Sequence, residues 1–185
     1  MRIVGGRLGG RVIKGPESDA IRPTTDRMRE SLFNILAHHP DVTLQGTRVL
    51  DLFAGTGALS FEALSRGASF AVLVDIGAEA RGLQRENIEA LGLGGMTRNM
   101  RRDATKLGEV TPFDAFQLVF CDPPYGKGLG EAALASAMRG GWLSPGCLVV
   151  LEERASAEVT LPSPLIEIDR RKAGETQLIF GRMPE

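Results

Sequence analysis

The stretch Val49-Leu50-Asp51-Leu52-Phe53-Ala54-Gly55-Thr56-Gly57-Ala58 decides the fold. Its first half is an apolar run of strand length, and its second half is a glycine turn that opens a helix. A buried strand entering such a turn is how open α/β sheets build a ligand crevice at the carboxyl ends of their strands, because glycine lets backbone N–H groups approach a ligand closely. The turn alone does not choose the ligand. Asp51 narrows the choice: a carboxylate at the strand's end repels a pyrophosphate and attracts the ammonium of an amino-acid-bearing cofactor, directly or through a water.

Outward from this stretch, short apolar runs alternate with helix-length segments. The pattern predicts strands over 48–53, 70–74, 97–101, 118–121 and 148–151, and helices over 58–66, 78–91 and 131–138. Strand and helix in strict turn give a parallel sheet with both faces covered. The ending differs, since 165–168 and 177–180, parted by a polar stretch with Gly174, predict a final hairpin. Upstream, Thr24-Thr25 offers an N-cap and Asp26 suits a first turn. Met28, Leu32, Ile35 and Leu36 recur at helical spacing until Pro40. Residues 1–14 alternate around Gly5-Gly6 and Gly9-Gly10, with Ile3, Val4, Val12 and Ile13 as apolar members, which predicts a small hairpin. A two-stranded hairpin is marginal alone and must lean on something. The domain reading is a hairpin extension over 1–22 and one α/β domain over 23–185.

At 185 residues, with 43% hydrophobic and 24% charged, the chain has the composition of one globular domain and excludes a disordered or collagen-like one. No apolar run approaches the roughly 18 residues of a membrane span, and the glycines of the opening leave no signal-peptide stretch, so a cytoplasmic protein is expected. Cys121 and Cys147 are too few and too far apart for a zinc site or a disulfide framework and read as buried free thiols. His38 and His39 close the first predicted helix without a partner motif, and no metal is expected. The net charge of -1 hides an asymmetry. Residues 1–30 carry seven basic groups against four acidic ones, a balance of +3 that leaves -4 for the rest. A basic arm on a near-neutral body suits nucleic-acid phosphates or a solvated surface.

Acidic residues recur at the exits of further strands. Asp75 follows the second, 18 residues past Gly57, close to the spacing at which a carboxylate grips ribose hydroxyls. Asp103-Ala104 closes the third, where an acceptor can meet an adenine amino group. After the fourth comes Asp122-Pro123-Pro124-Tyr125. Two prolines stop the strand and stiffen the loop. A stiff loop suits an exocyclic amine whose lone pair is delocalised into its ring. Hydrogen bonds from that amine to the Asp122 carboxylate and the Pro123 carbonyl would aim it at a methyl donor, so that catalysis is positioning plus electrostatics. Tyr125 supplies a face on which an extruded base can stack.

These residues resemble the class I S-adenosylmethionine-dependent methyltransferases, through DLFAGTG at 51–57, Asp75, Asp103 and DPPY at 122–125. Nearly the whole chain is similar to the RsmD family, in MRIVGGRLGGR at the start, in RPTTDRMRE at 22–30 with Leu32-Phe33-Asn34, and in Gly174-Glu175-Thr176 near the end. The resemblance implies a Rossmann-like seven-stranded sheet with the last strand antiparallel, S-adenosylmethionine as cofactor and a basic hairpin that helps hold RNA. It implies cofactor contacts at Asp51, Phe53, Gly55, Thr56, Gly57, Asp75, Ile76, Asp103, Ala104 and Asp122. Catalysis falls to Asp122, Pro123 and Tyr125, and RNA contacts to Arg2, Arg7, Arg11, Arg22, Thr24 and Tyr125. The implied reaction is methylation of a guanine N2 in 16S ribosomal RNA, of the guanine-966 type, in an assembling or assembled small subunit with its ribosomal proteins. Asp75 stands where many members carry Glu, and Ala173 where an aromatic is common. An adenine-N6 methyltransferase on RNA or DNA would use the same DPPY loop. A nicotinamide oxidoreductase would leave that loop unexplained, and a non-catalytic RNA-binding module would have no need of Asp122 and Tyr125.

Overall fold

A computed structural model describes residues 1–19, 21 and 24–185, which group into two compact units, Met1–Arg101 and Arg102–Glu185. The first unit holds α1 (Asp26–His38), β1 (Arg48–Leu52), α2 (Ala58–Ser65), β2 (Phe70–Asp75), α3 (Ala78–Leu91) and β3 (Thr97–Arg101). β2 lies between β1 and β3 and pairs in parallel with both, with Leu50 opposite Val72 and Leu73 opposite Asn99. Val49, Leu50, Leu52 and residues 71–74 are fully buried. Removing each Val or Leu side chain from water stabilises the fold by about 1.5–3 kcal/mol, which is why these strands read as unbroken apolar runs. α3 turns Ala80, Leu83, Gln84, Asn87 and Leu91 inward, a helical stripe, and ends on Gly92. In α1, the Thr25 hydroxyl accepts from Met28 N at 3.1 Å as the N-cap. Its buried face is Arg29, Leu32, Phe33 and Leu36, and His39 caps its end.

The opening segment is a small hairpin leaning on α2, with Ile3 N donating to Arg11 O at 2.9 Å and Ile13 N to Met1 O at 2.8 Å. It keeps a single antiparallel bridge, Arg2 to Val12. Four of its backbone donors go to α2: Val4 N and Gly5 N reach the Glu62 carboxylate at 2.9 Å each, Leu8 N reaches Ser65 Oγ at 2.9 Å, and Arg7 N reaches Ser65 O at 2.9 Å. The approach is so close that a Cβ on Gly6 (φ +76°) would sit 2.0 Å from Ser65 O. Ile3, Leu8 and Ile13 are buried, whereas Val12 is 61% exposed.

The second unit holds β4 (Phe116–Cys121), α4 (Leu129–Arg139), β5 (Leu143–Arg154), β6 (Ile166–Ala173) and β7 (Thr176–Arg182). β4 and β5 are parallel, and β7 is antiparallel to both β5 and β6. β5 runs far beyond the predicted 148–151, because a register shift after Phe116 absorbs Pro145 and Gly146. Trp142 stacks on Phe116 (5.8 Å, 16°) and donates from Nε1 to Gly108 O at 2.8 Å. Both cysteines are free and buried, and burial pushes the Cys147 thiol up to about 12. The strand order is β3-β2-β1-β4-β5-β7-β6 in a seven-stranded sheet, the Rossmann-like class I arrangement with an antiparallel last strand. Among the described residues no helix is long and apolar enough to cross a membrane.

Candidate active site

In the first unit the exits of β1 and β2 are joined through one carboxylate. Asp75 Oδ2 accepts from Gly55 N and Oδ1 from Gly77 N, both at 2.9 Å. Two backbone donors fix this half-buried group, and each oxygen keeps a lone pair for a further donor. From α3, Gln84 Nε2 donates to Gly55 O at 2.9 Å and Asn87 Nδ2 to Thr56 O at 3.3 Å, while buried Gln84 Oε1 has no protein partner among the described residues. Phe53 (φ +59°) is the one non-glycine residue among those described in the left-handed region. Backbone held there by its surroundings concentrates at functional sites. Gly57 is fixed by packing as well as by its φ of +88°, since a Cβ would meet Phe61 Cζ at 2.6 Å and Leu73 Cδ2 at 2.8 Å. Ile76 is 62% exposed directly after Asp75.

Asp51 is only 1% exposed, and Ser60 Oγ donates to its Oδ2 at 2.6 Å. Burial pushes its carboxyl up to about 7, against the Ser60 hydrogen bond, which lowers it, and with the Asp75 charge, which raises it further. Arg2, Arg7 and Arg11 are exposed along the opening segment. Arg11 donates to Ala90 O at 2.6 Å, Arg7 reaches Met96 Sδ at 3.7 Å, and Arg2 donates to Gly10 O at 3.0 Å. Thr24 is half-buried before the N-cap, and Arg22 lies outside the described residues.

In the second unit, Asp103 caps the single turn Ala104–Lys106. Its Oδ1 accepts from Thr105 N at 2.9 Å and Thr105 Oγ1 at 2.7 Å, and the Thr105 hydroxyl bond is the main cause that lowers its pKa. Ala104 is buried beside it. β4 ends at Cys121, and Asp122 opens the loop, followed by buried Pro123, exposed Pro124 and half-buried Tyr125. Tyr125 Oη donates to Glu152 Oε1 at 2.8 Å and lies 3.4 Å from Thr176 Oγ1, and Gly126 N donates to Glu153 Oε1 at 3.0 Å. The loop is thus tied to the end of β5 by two consecutive glutamates. Beside it opens a cavity of about 350 Å³, whose rim includes Gly126, Gly128, Glu131, Glu153, Arg154 and Glu158. Three carboxylates against one guanidinium make it a poor phosphate site.

Sequence reasoning misses Glu152, Glu153 and Thr176. The signal that finds Asp51, an acid at the exit of a buried strand, is also present at Glu152-Glu153, which follow Leu148-Val149-Val150-Leu151. It misses Glu62 too, which is fully buried between Arg29 Nη1 at 3.0 Å and Arg66 Nε at 2.9 Å.

A family model described as conserved hypothetical protein 95 matches residues 1–182. The chain is 37% identical over 155 residues to ribosomal RNA small subunit methyltransferase D of Escherichia coli K12, covering 82% of this chain and 74% of the relative. It is 30% identical over 166 residues to the protein of the same name from Haemophilus influenzae, covering 88% and 83%. Among solved structures, the Escherichia coli protein yhhF, a candidate methyltransferase by name, superposes with a TM-score of 0.84 at 32% identity, covering 100% of this chain and 98% of that one. A hypothetical protein of Thermus thermophilus gives 0.74 at 33% identity, with 100% and 99% covered. The chain belongs to the family described as conserved hypothetical protein 95, the RsmD family of methyltransferases.

Proposed function

We propose that the chain transfers a methyl group from S-adenosylmethionine to the exocyclic N2 amine of a guanine in small-subunit ribosomal RNA, of the guanine-966 type, on a substrate presented in a particle with its ribosomal proteins. The observation that carries this reading is the DPPY loop: stiffened by two prolines, with its tyrosine hydroxyl and following backbone N–H both fixed to β5. The ribosomal RNA substrate follows the names of the relatives at 37% and 30% identity.

The residues present fit the cofactor. Asp75 offers two backbone-fixed oxygens to a ribose diol, Ile76 offers an exposed apolar face to a purine, and Asp103 Oδ2 is left to accept from an adenine amine. When bound, S-adenosylmethionine supplies an electrophilic methyl on sulfur. The chain's part is to hold and aim. Phe53, Gly55, Thr56 and Gly57 form the turn that would hold the amino-acid end. Asp51, held by Ser60, would support the turn, and Ala104 beside Asp103 would meet the adenine. Asp122 and the Pro123 carbonyl accept hydrogen bonds from the two N–H groups of the target amine, drawing charge toward nitrogen, and the Asp122 carboxylate takes the proton that nitrogen gives up on being methylated. Tyr125 stacks the base, and Arg2, Arg7, Arg11, Arg22 and Thr24 hold the RNA. The Asp122→Ala variant is expected to keep cofactor affinity within about threefold and to lose at least about a hundredfold in methyl transfer. Unchanged turnover would refute the role given to the loop.

A further inference from the structure

We propose that Glu152 is a positioning residue for methyl transfer, which with Thr176 clamps the Tyr125 hydroxyl so that the ring meets the target base at one fixed angle. This rests on the function proposed above and extends it to residues that the DPPY motif does not contain. A tyrosine at a loop tip keeps rotation about two side-chain bonds unless its far end is held, and a stacking platform that rotates loses the entropy advantage of orientation. Here the far end is held by a charged acceptor, with Oη donating to Glu152 Oε1 at 2.8 Å and accepting from Thr176 Oγ1 at 3.4 Å. Glu152 is 5% exposed. Burying a carboxylate is costly, and what it provides over a neutral acceptor is a stronger, shorter hydrogen bond to the phenol.

Both holders are rigid. Glu152 pairs with Leu178 across the β5–β7 ladder, and Thr176 pairs with Arg154 on β5 and with Ala173 on β6. The turn before Thr176 is tied back by Ala155 N donating to Glu175 O at 2.7 Å. The Gly174-Glu175-Thr176 segment, which the DPPY chemistry leaves without a role, thereby becomes part of the base-positioning apparatus. Glu153 fixes the next residue through Gly126 N. The tyrosine is held at its hydroxyl and at the peptide that follows it.

The test is a double-mutant cycle on methyl transfer to undermethylated small-subunit particles, with S-adenosylmethionine affinity and Tm measured on every variant. Tyr125→Phe and Glu152→Leu are each expected to lower kcat/KM about tenfold with cofactor affinity unchanged, and the double variant to be no worse than the poorer single. Glu152→Gln, which can still accept from the phenol, should recover most of the loss. If Glu152→Leu fails to fold, Tyr125→Phe and Thr176→Val, which keep shape, carry the same cycle. Losses that multiply, or a Tyr125→Phe enzyme within twofold of wild type, overturn the inference while leaving the proposed reaction standing. A wild-type chain that transfers no methyl group overturns both.

Discussion

At the scale of single residues, two positions in the glycine turn have measurable consequences. Gly57→Ala places a methyl group against Phe61 and Leu73 at a φ of +88°. The expected cost is about 3 kcal/mol, lowering Tm by roughly 6–12 °C. A Tm within 1 °C of wild type, on the order of the measurement's own scatter, would deny the packing described. Asp51 makes a different prediction. The folded chain ionises it only near 7, against an ordinary value of 3.8, so between these limits the native state holds a proton that the unfolded chain has released. The contribution of this group to stability is therefore full below about pH 4 and is lost as pH rises to about 7, by at most about 4 kcal/mol. Chemical denaturation of wild type and Asp51→Asn across pH 4–8 should show the wild type alone losing stability over that window; parallel profiles would contradict it. Asp51 and the two turn glycines are legible in sequence because a strand, a carboxylate and a G-x-G turn lie within seven residues. That Asp51 bonds Ser60 in α2 is not legible, since serine in a helix gives no sign of which way it faces.

At the scale of elements, the opening segment and α2 are one construction. Glu62 accepts from two backbone N–H groups of the segment and pairs with Arg29 and Arg66. Removing one partner of a buried ionic network strands the others, so Glu62→Ala should cost about 3–5 kcal/mol, with Glu62→Gln milder. Limited proteolysis should then cut within residues 1–14 in the alanine variant and spare the wild type; equal resistance would show that the network does not hold the segment. Sequence reasoning places the strands and helices of the first unit to within a residue or two, because apolar periodicity marks them. It finds the opening hairpin, whose turn Gly9-Gly10 serve, but not the close approach of Gly5-Gly6 to α2, because glycine pairs read only as turn punctuation. It shortens β5, because Pro145-Gly146 reads as a stop where the strand passes through a register shift. Charged residues on a helix also read as solvated, which hides Arg29 and Glu62 in the core.

At the scale of the whole molecule, a chain of net charge -1 is proposed to bind a polyanion through a local basic surface. Exchanging Arg7 and Arg11 for Gln removes two exposed charges and leaves Ile3, Leu8 and Ile13 packed. The slope of log K against log salt for RNA binding should shrink by about 1.4–1.8, with cofactor affinity unchanged. An unaltered slope would remove these arginines from the RNA surface. The most direct test of the central proposal is transfer of tritiated methyl from S-adenosylmethionine to small-subunit particles lacking guanine-N2 methylation, followed by nucleoside analysis of the labelled RNA. N2-methylguanosine as the labelled product is the predicted result. Label recovered as N6-methyladenosine, or no label from a chain that binds the cofactor, would contradict it.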